Sequence, residues 1–135
     1  MLQEMTTPIV SVAMVVCNVE RFLAQAIQSV LDQTFTDFEL IIVDFGSTDN
    51  TKSIVSTFAG KDRRIVFKEI SKCGLSEARN ESCSRARGRY IAIMDADDIC
   101  LKHRLMLQVD FLEKHPYVGV LGGATEWVDA GGRSL

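Results

Sequence analysis

Three aspartates within four residues form the densest group of potential ligands in the sequence: Asp95, Asp97 and Asp98 directly follow the apolar run Tyr-Ile-Ala-Ile-Met. Neighbouring carboxylates repel one another and are costly to bury unpaired, so they either face water or bind a cation. Asp95 and Asp97 form a D-x-D motif and can converge on one hard cation. Such oxygen ligands suit Mg²⁺ or Mn²⁺, often with substrate phosphates completing the shell. The alternative is a solvated loop with helix-capping aspartates. The apolar run favours the cation site, since a buried strand would deliver the group to a sheet edge.

A second acidic residue, Asp44, ends the apolar stretch 38–43 and is followed by Phe45 and Gly46. The tripeptide Asp-Phe-Gly also occurs in protein kinases, where its aspartate binds magnesium. A kinase would need a glycine-rich loop, a strand lysine and an H-R-D segment before it. No glycine precedes Asp44 and no H-R-D occurs in the chain. The kinase match is therefore a coincidence, and Asp44 either begins a turn or serves another ligand.

The composition indicates one globular domain over residues 1–135, with 47% hydrophobic and 24% charged residues. The net charge of −3 gives no reason to expect nucleic acid as a partner. Residues 1–8 are polar and no apolar run is long enough to span a bilayer. The scattered cysteines, without C-x-x-C, predict reduced thiols. We expect a cytoplasmic protein, either free or attached peripherally to the inner face of a membrane. The cysteines are Cys17, Cys73, Cys83 and Cys100.

Apolar periodicity predicts strands that alternate with helices. The predicted strands are 9–16, 38–43, 64–70, 90–94, 118–121 and 124–128, and the helices include 49–58, 76–86 and 101–114. The first helix has an apolar stripe that ends at Leu31, and Asn18 is its predicted cap. Ser47 or Thr48 is expected to cap the second helix, and Gly88 to end the third.

This alternation predicts an α/β fold with a mostly parallel, Rossmann-like sheet and helices on both faces. Ligands of such sheets bind beyond the carboxyl ends of the strands. Asp44 and the acidic group Asp95–Asp98 both stand at such ends. Their position favours a binding role for Asp44 over a simple turn.

Six stretches, taken together, resemble the N-terminal, nucleotide-sugar-binding half of family-2 glycosyltransferases, which have the A-type glycosyltransferase fold. They are PIVSV (8–12), AIQSVLDQT (26–34), DFELIIVD (37–44), GSTDNT (46–51), GLSEARN (74–80) and MDADD (94–98). They occur in the family's order and cover nearly the whole chain. The resemblance implies a fragment of a longer catalytic domain, with a truncated form of that fold.

The resemblance also implies roles for individual residues. Asp44 would face the nucleotide base, Asp95 would lie near the ribose and the metal, and Asp97 would bind the Mn²⁺ or Mg²⁺ that bridges the diphosphate. Arg79 would approach the base or the diphosphate, although a surface arginine is the alternative. The implied reaction transfers a sugar from a nucleotide-diphosphate sugar, a UDP-sugar foremost, to a saccharide or lipid-linked acceptor with inversion. The carboxylate base is expected outside this chain, so we expect the isolated chain to transfer sugar inefficiently.

Three positions depart from the family pattern: Phe45 replaces an acid, Cys17 replaces an aromatic residue, and Val15 replaces a proline. The first two lie where the base would bind. The Phe45 ring can stack on the base and replace the aromatic surface missing at Cys17. Alternatively, the ring points into the core.

The other candidate residues have simpler interpretations. Arg85, Arg87 and Arg89 are expected to form a solvated face near a helix C-terminus. His103 is expected to be a capping or surface residue. Trp127 can contact a sugar or cover the core. Apolar residues within 118–128 predict association into a homo-oligomer.

Three other functions compete with sugar transfer. A nucleotidyltransferase uses a related sheet, but it usually has a glycine-rich basic phosphate loop early in the chain, which this sequence lacks. A non-catalytic nucleotide-binding or assembly module would bind UDP without transfer. A phospho-acceptor signalling domain would carry its further acidic residues after the first strand.

Overall fold

The computed structural model describes residues 7–135 of the chain. Strands and helices alternate along it. Their bounds are β1 (Val10–Val16), α1 (Glu20–Leu31), β2 (Phe38–Asp44), α2 (Thr51–Ala59), β3 (Ile65–Glu69), α3 (Leu75–Ser84), β4 (Tyr90–Asp95) and α4 (Arg104–Lys114). The predicted α/β class is confirmed.

The four strands form one parallel sheet in the order β3-β2-β1-β4. β1 pairs with β2 on one side and with β4 on the other, and Val10 lies opposite both Phe38 and Tyr90. Because every strand runs in the same direction, all the carboxyl ends meet at one edge of the sheet. Asp44 and Asp95 are the last residues of β2 and β4 at that edge.

Every residue of β1 and β2 is buried, as their almost continuous apolar runs predict for strands covered on both faces. On one face α1, α2 and α4 enclose the larger apolar cluster, to which they contribute Leu23, Ile27, Val55 and Leu105. On the other face Ala78 of α3 completes a smaller cluster. Its strand residues are Val15, Ile41 and Val43. The helices therefore lie on both faces of the sheet, as predicted.

The fifth and sixth predicted strands are wrong for the described part of the chain. Residues 118–121 are not in a strand, and Val128 forms only an isolated antiparallel bridge with Ser134. A strand needs a neighbour for its ladder hydrogen bonds, and these segments join no strand of the sheet. Val120 and Trp127 are exposed, so Trp127 does not cover the core. Association through this region remains a prediction.

Gly88 has a different role from the predicted one. α3 ends at Ser84, four residues earlier, with Arg85 at its C-cap. A Cβ atom on Gly88 would lie 2.6 Å from the backbone nitrogen of Ser11. Glycine is therefore required by the close approach of this loop to β1 rather than by the end of the helix.

Within residues 7–135, none of the helices has the length and apolar character needed to cross a membrane.

Candidate functional site

Two carboxylates flank the central strand at the carboxyl edge of the sheet. Asp44 lies opposite Val16, and Asp95 lies opposite Val15. Adjacent strands are about 4.8 Å apart, so the two acidic positions are separated by about 10 Å. Cys17 follows β1 directly and therefore lies between them. This arrangement brings together the two acidic positions that are 51 residues apart in the sequence.

Asp44 organises the turn that follows β2. Its Oδ1 atom accepts hydrogen bonds from the backbone N–H groups of Gly46 and Ser47, both at 2.9 Å. Gly46 has φ +111°, a conformation that favours glycine, and a Cβ there would come within 3.1 Å of the Lys72 Cβ. The predicted tight turn is confirmed, with the Asp44 side chain as its centre.

The other carboxylate oxygen of Asp44, Oδ2, is buried and accepts no hydrogen bond from the part of the chain that the structure describes. Leaving a buried acceptor unpaired costs about 1–3 kcal/mol, and more for a charged group. Most buried polar atoms in proteins have a partner. This atom is therefore the clearest unsatisfied acceptor at the edge, and an N–H donor of a ligand would satisfy it.

A positively charged side chain, Lys52 of α2, lies near Asp44. Lys52 forms an ion pair of 2.8 Å with Glu69, the last residue of β3. The hydrogen bond to Glu69 raises the pKa of Lys52, burial opposes it, and the charges of Glu69 and Asp44 add to the increase. Lys52 therefore stays charged at this end of the edge.

Asn18 connects the two loops on either side of the site. It has φ +54°, and its Oδ1 atom accepts the N–H groups of Thr48 at 2.8 Å and Asp49 at 3.3 Å, as well as the Thr48 hydroxyl. It makes no capping bond to α1, whose N-cap residue is Val19. The capping role predicted for Asn18 is therefore wrong, because its side chain is used between loops.

The predicted cap at Ser47 or Thr48 is wrong, because the N-cap residue of α2 is Asn50. Asp49, directly before it, bonds to the start of the helix. Its carboxylate accepts the N–H of Thr51 at 2.9 Å and the N–H of Glu20 in α1 at 3.1 Å. Burial acts to raise the pKa of Asp49, but hydrogen bonds from Thr51 and Glu20 outweigh it and the pKa is lowered. The Glu20 carboxylate in turn accepts two hydrogen bonds from Asn50. The N-termini of α1 and α2 are thereby fixed to each other beside Asp44.

The acidic group lies at the other side of β1. Asp95 forms an ion pair of 2.7 Å with Arg79 of α3, and both side chains are partly exposed. Asp97 is exposed, and the backbone N–H of Asp98 bonds to the Asp95 carbonyl at 3.3 Å. Partial burial raises the pKa of Asp98, and the charges of Asp97 and Asp95 raise it further. Negative charge is therefore concentrated here beyond what Arg79 neutralises.

Among residues 7–135, no three or more His, Cys, Asp or Glu side chains converge on a common metal position. Mg²⁺ commonly takes one or two carboxylates from a protein and completes its shell with phosphate and water. The donor atoms of the acidic group are all hard carboxylate oxygens, which Mg²⁺ and Mn²⁺ prefer. In this respect Asp95 and Asp97 fit a divalent cation.

Phe45 lies on the α3 side of the sheet and is half-buried. It packs against the smaller apolar cluster, which includes Val43 and Ala78. This packing agrees with the core alternative for Phe45. Stacking on a base from the remaining exposed part of the ring stays a prediction. Cys17, the other departure, is a half-buried free thiol.

Arg87 is exposed, as predicted, but it also forms an ion pair with a buried carboxylate. Its guanidinium donates two hydrogen bonds to Glu39 Oε2, at 3.0 and 2.7 Å, and the Glu39 side chain is only 5% exposed. Ser11 donates to the same carboxylate at 2.6 Å. Arg85 and Arg89 are exposed as well, and they form ion pairs with Glu81 and Glu113. His103 is exposed at the N-cap position of α4, as expected.

One further residue near the site, Gln33, could not be identified from the apolar periodicity of the sequence. Gln33 follows α1, is 3% exposed, and bonds to the segment that follows the acidic group. From the sequence alone, a glutamine after an amphipathic helix is expected to be exposed. Its burial in the structure is what indicates a structural role. Its occurrence within the stretch AIQSVLDQT is the one sequence feature that points to it.

Comparison with known proteins gives a consistent result. The model of the family "Glycosyl transferase family 2" matches residues 11–133. An uncharacterized glycosyltransferase of Methanocaldococcus jannaschii is 38% identical over 138 aligned positions, which cover 100% of this chain and 48% of that protein. The chain thus spans about half the length of this relative.

Two solved structures show the same fold. TarS of S. aureus residues 1–349, in complex with UDP-GlcNAc, superposes with a TM-score of 0.74 at 25% identity, covering 87% of this chain and 37% of that one. The mannosyltransferase PcManGT from Pyrobaculum calidifontis, in complex with GDP-Man and Mn²⁺, superposes with a TM-score of 0.60 at 24% identity, covering 70% of this chain and 29% of that one. The second likeness concerns the fold alone. The family match, the similar relative and the shared fold all lead to the same conclusion. This chain belongs to glycosyl transferase family 2.

Proposed function

We propose that this chain forms the donor-binding part of a glycosyltransferase, which transfers a sugar from a nucleotide-diphosphate sugar to an acceptor. The observation that carries the proposal is the pair of acidic positions at the carboxyl edge, Asp44 with its unpartnered Oδ2 and the acidic group on the far side of β1. A nucleotide has a base with N–H donors at one end and a diphosphate at the other. The two acidic positions provide an acceptor for the first and a cation site for the second.

In this proposal Asp44 accepts a hydrogen bond from the base through Oδ2, while Oδ1 keeps the turn at Gly46 and Ser47 in place. Because Asp44 is fully buried in the structure, the loops beside it must open slightly to let the base reach Oδ2. Hydrogen bonds of Asn18 and Asp49 join the loop after β1 to the loop after β2, so we expect the two loops to move together. TarS binds UDP-GlcNAc, as its structure shows, and this supports a UDP-sugar as the donor.

Asp95 and Asp97 are proposed to hold Mn²⁺ or Mg²⁺, and Asp95 also to lie near the ribose. When bound, the cation supplies positive charge that stabilises the leaving diphosphate. Arg79 contacts Asp95, and we propose that it approaches the base or the diphosphate. Direct displacement with inversion of the anomeric carbon is part of the proposal, as is a saccharide or lipid-linked acceptor.

The experiment uses calorimetry with UDP and GDP, each with and without Mn²⁺, on the wild type and on Asp44→Asn. Asparagine can still accept the N–H groups of Gly46 and Ser47, but it places an N–H donor where Oδ2 was. A hydrogen bond to a charged group is worth about 1.5–3 kcal/mol, so UDP affinity should fall by about 10- to 100-fold.

Asp32→Asn is the matched control, because Asp32 is exposed at the end of α1 and bonds only locally to Gln28 and to α1 carbonyls. It should bind UDP as the wild type does. The proposal fails if the folded wild type binds neither nucleotide, with or without Mn²⁺. It also fails in its base-binding part if Asp44→Asn retains full affinity. Tight UDP binding by a full-length relative that never transfers sugar would favour a non-catalytic nucleotide-binding module.

A further inference from the structure

Gln33 is a buried polar residue that lies directly beyond α1. Its Nε2 atom donates to the backbone carbonyl of Leu101 at 2.8 Å and to those of Cys100 and Ser29, each at 3.2 Å. Its Oε1 atom accepts the N–H of Leu105, in the first turn of α4, at 3.0 Å. One side chain therefore joins the end of α1 to the loop before α4 and to the start of α4.

Two neighbours of Gln33 hold the same loop. The Ser29 hydroxyl accepts the N–H of Cys100 at 2.9 Å and donates to the carbonyl of Ala26. The N–H of Thr34 donates to the carbonyl of Lys102 at 3.0 Å. The backbone from Cys100 to Leu105 is thus attached to α1 through groups about 70 residues earlier in the sequence.

This attachment determines where the acidic group lies. Asp95 is fixed at the end of β4 by its pairing with Val15, and only four residues separate it from Cys100. The side chains of Ala96 and Cys100 are buried in the larger apolar cluster. Asp97 therefore belongs to a short span that is held by the sheet at one end and by Gln33 and Ser29 at the other.

We propose that Gln33 is a positioning residue, which holds the loop after β4 so that Asp95 and Asp97 face a divalent cation on the donor diphosphate. The inference rests on the proposed function for its ligand, and on the hydrogen bonds above for its geometry. Gln33 is not expected to touch the cation or the nucleotide. It acts through the loop, as residues behind metal ligands commonly do.

Glutamine suits this position because its amide both donates and accepts. Its two amide N–H donors are shared among the carbonyls of Leu101, Cys100 and Ser29, and its oxygen accepts the N–H of Leu105. Glutamate has nearly the same shape, but its carboxylate accepts only. Gln33→Glu therefore keeps the bond to Leu105 and opposes the three carbonyls with a negative charge.

The test compares Gln33→Glu with Gln25→Glu, which makes the same chemical change at an exposed position of α1. UDP affinity is measured by calorimetry with and without Mn²⁺. In the wild type and in Gln25→Glu, Mn²⁺ should strengthen UDP binding. In Gln33→Glu, affinity without Mn²⁺ should stay within about threefold, while the gain from Mn²⁺ should fall by about 10- to 100-fold, the usual effect of losing support behind a metal ligand.

A second measurement needs no ligand. Backbone amide hydrogen exchange should become faster over residues 97–102 in Gln33→Glu, while the amides of β1 keep their protection. If Gln33→Glu does not fold, Ser29→Ala replaces it, since it removes the acceptor for the Cys100 N–H and otherwise a local bond to the Ala26 carbonyl within α1. Ser29→Ala should shift both readings in the same direction by a smaller amount.

Unchanged exchange at residues 97–102 together with an unchanged Mn²⁺ effect, in whichever of these two variants folds, overturns the positioning role. A uniform loss of UDP affinity, equal with and without Mn²⁺, also overturns it. If the wild type binds no UDP, the proposed function fails, and the exchange measurement alone then decides whether Gln33 holds the loop.

Discussion

Arg79 and Asp95 form an ion pair of 2.7 Å at the carboxyl edge of the sheet, between α3 and the last residue of β4. The guanidinium partly neutralises a carboxylate of the proposed cation site. A divalent cation at Asp95 would therefore compete with Arg79, and a bound diphosphate would offer Arg79 a new partner. If the proposed site is right, the pair would link cation binding to nucleotide binding through the Arg79 side chain.

Arg79→Ala should have opposite effects on the two ligands. Without nucleotide, Mn²⁺ should bind somewhat more tightly, by up to about fivefold, because a partly exposed pair is worth about 0.2–1 kcal/mol. UDP in the presence of Mn²⁺ should bind more weakly, since a cation near the diphosphate is lost. Titrations of Mn²⁺ alone and of UDP in saturating Mn²⁺ measure the two effects. Arg85→Ala, which removes a surface pair with Glu81 on the same helix, is the control. A fall in both affinities would contradict the competition.

Asp97→Ala should remove most of the effect of Mn²⁺ on UDP binding. The loss of one carboxylate ligand should weaken UDP binding in Mn²⁺ by at least about tenfold, equivalent to ~1.4 kcal/mol. Binding without Mn²⁺ should change little, because Asp44 lies on the other side of β1. Calorimetry with UDP measures both, and Asp110→Ala, an exposed residue of α4, is the control. Equal affinity of Asp97→Ala and wild type in Mn²⁺ would exclude Asp97 as a ligand.

Phe45→Ala should reduce the free energy of unfolding by about 2 kcal/mol. Truncating a fully buried phenylalanine costs about 3–5 kcal/mol, and Phe45 is only half-buried against the smaller cluster. Urea denaturation measures this change. UDP affinity per folded molecule should stay within about threefold if packing is its main role. A tenfold loss of affinity with unchanged stability would instead support stacking of the ring on the base.

Glu39→Gln should make stability less dependent on acid pH. Burial acts to raise the pKa of Glu39, but hydrogen bonds from Ser11 and Arg87 and the charge of Arg87 outweigh it, so the pKa lies below the ordinary value of 4.5. A lowered pKa means that the folded state favours the charged form. The resulting stability is complete above the ordinary value and is lost as the pH falls through the lowered one.

The wild type should therefore be more stable than Glu39→Gln by about 2 kcal/mol at pH 7. This is less than the 3–5 kcal/mol of a fully buried pair, because Arg87 is half-exposed. The difference should shrink as the pH falls below the ordinary value. Urea denaturation between pH 7 and pH 3 measures it, with Glu81→Gln, in a partly exposed ion pair, as the control. A difference that stays constant over this range would show that the charge of Glu39 does not contribute.

Local patterns predicted the four strands and four helices of the structure and the place of the acidic residues within them, but they also predicted two strands that do not form. The apolar run that becomes β1 is buried on both faces, and the alternation of strands with helices requires a parallel sheet. Asp44 and Asp95 therefore lie at the carboxyl edge of the sheet, because each is the last residue of a strand. These conclusions depend only on residues that are close together in the sequence.

The tertiary structure decided which distant residues meet. The strand order places β1 between Asp44 and Asp95, and it leaves residues 118–128 without a strand to pair with. Asn18 bonds to Thr48 rather than to its own helix, Arg87 bonds to a buried Glu39, and Gln33 reaches Leu105, 72 residues away. A polar side chain near a helix end has several partners within reach, and periodicity does not distinguish them. Only the packing of the elements brings one particular donor to one particular acceptor.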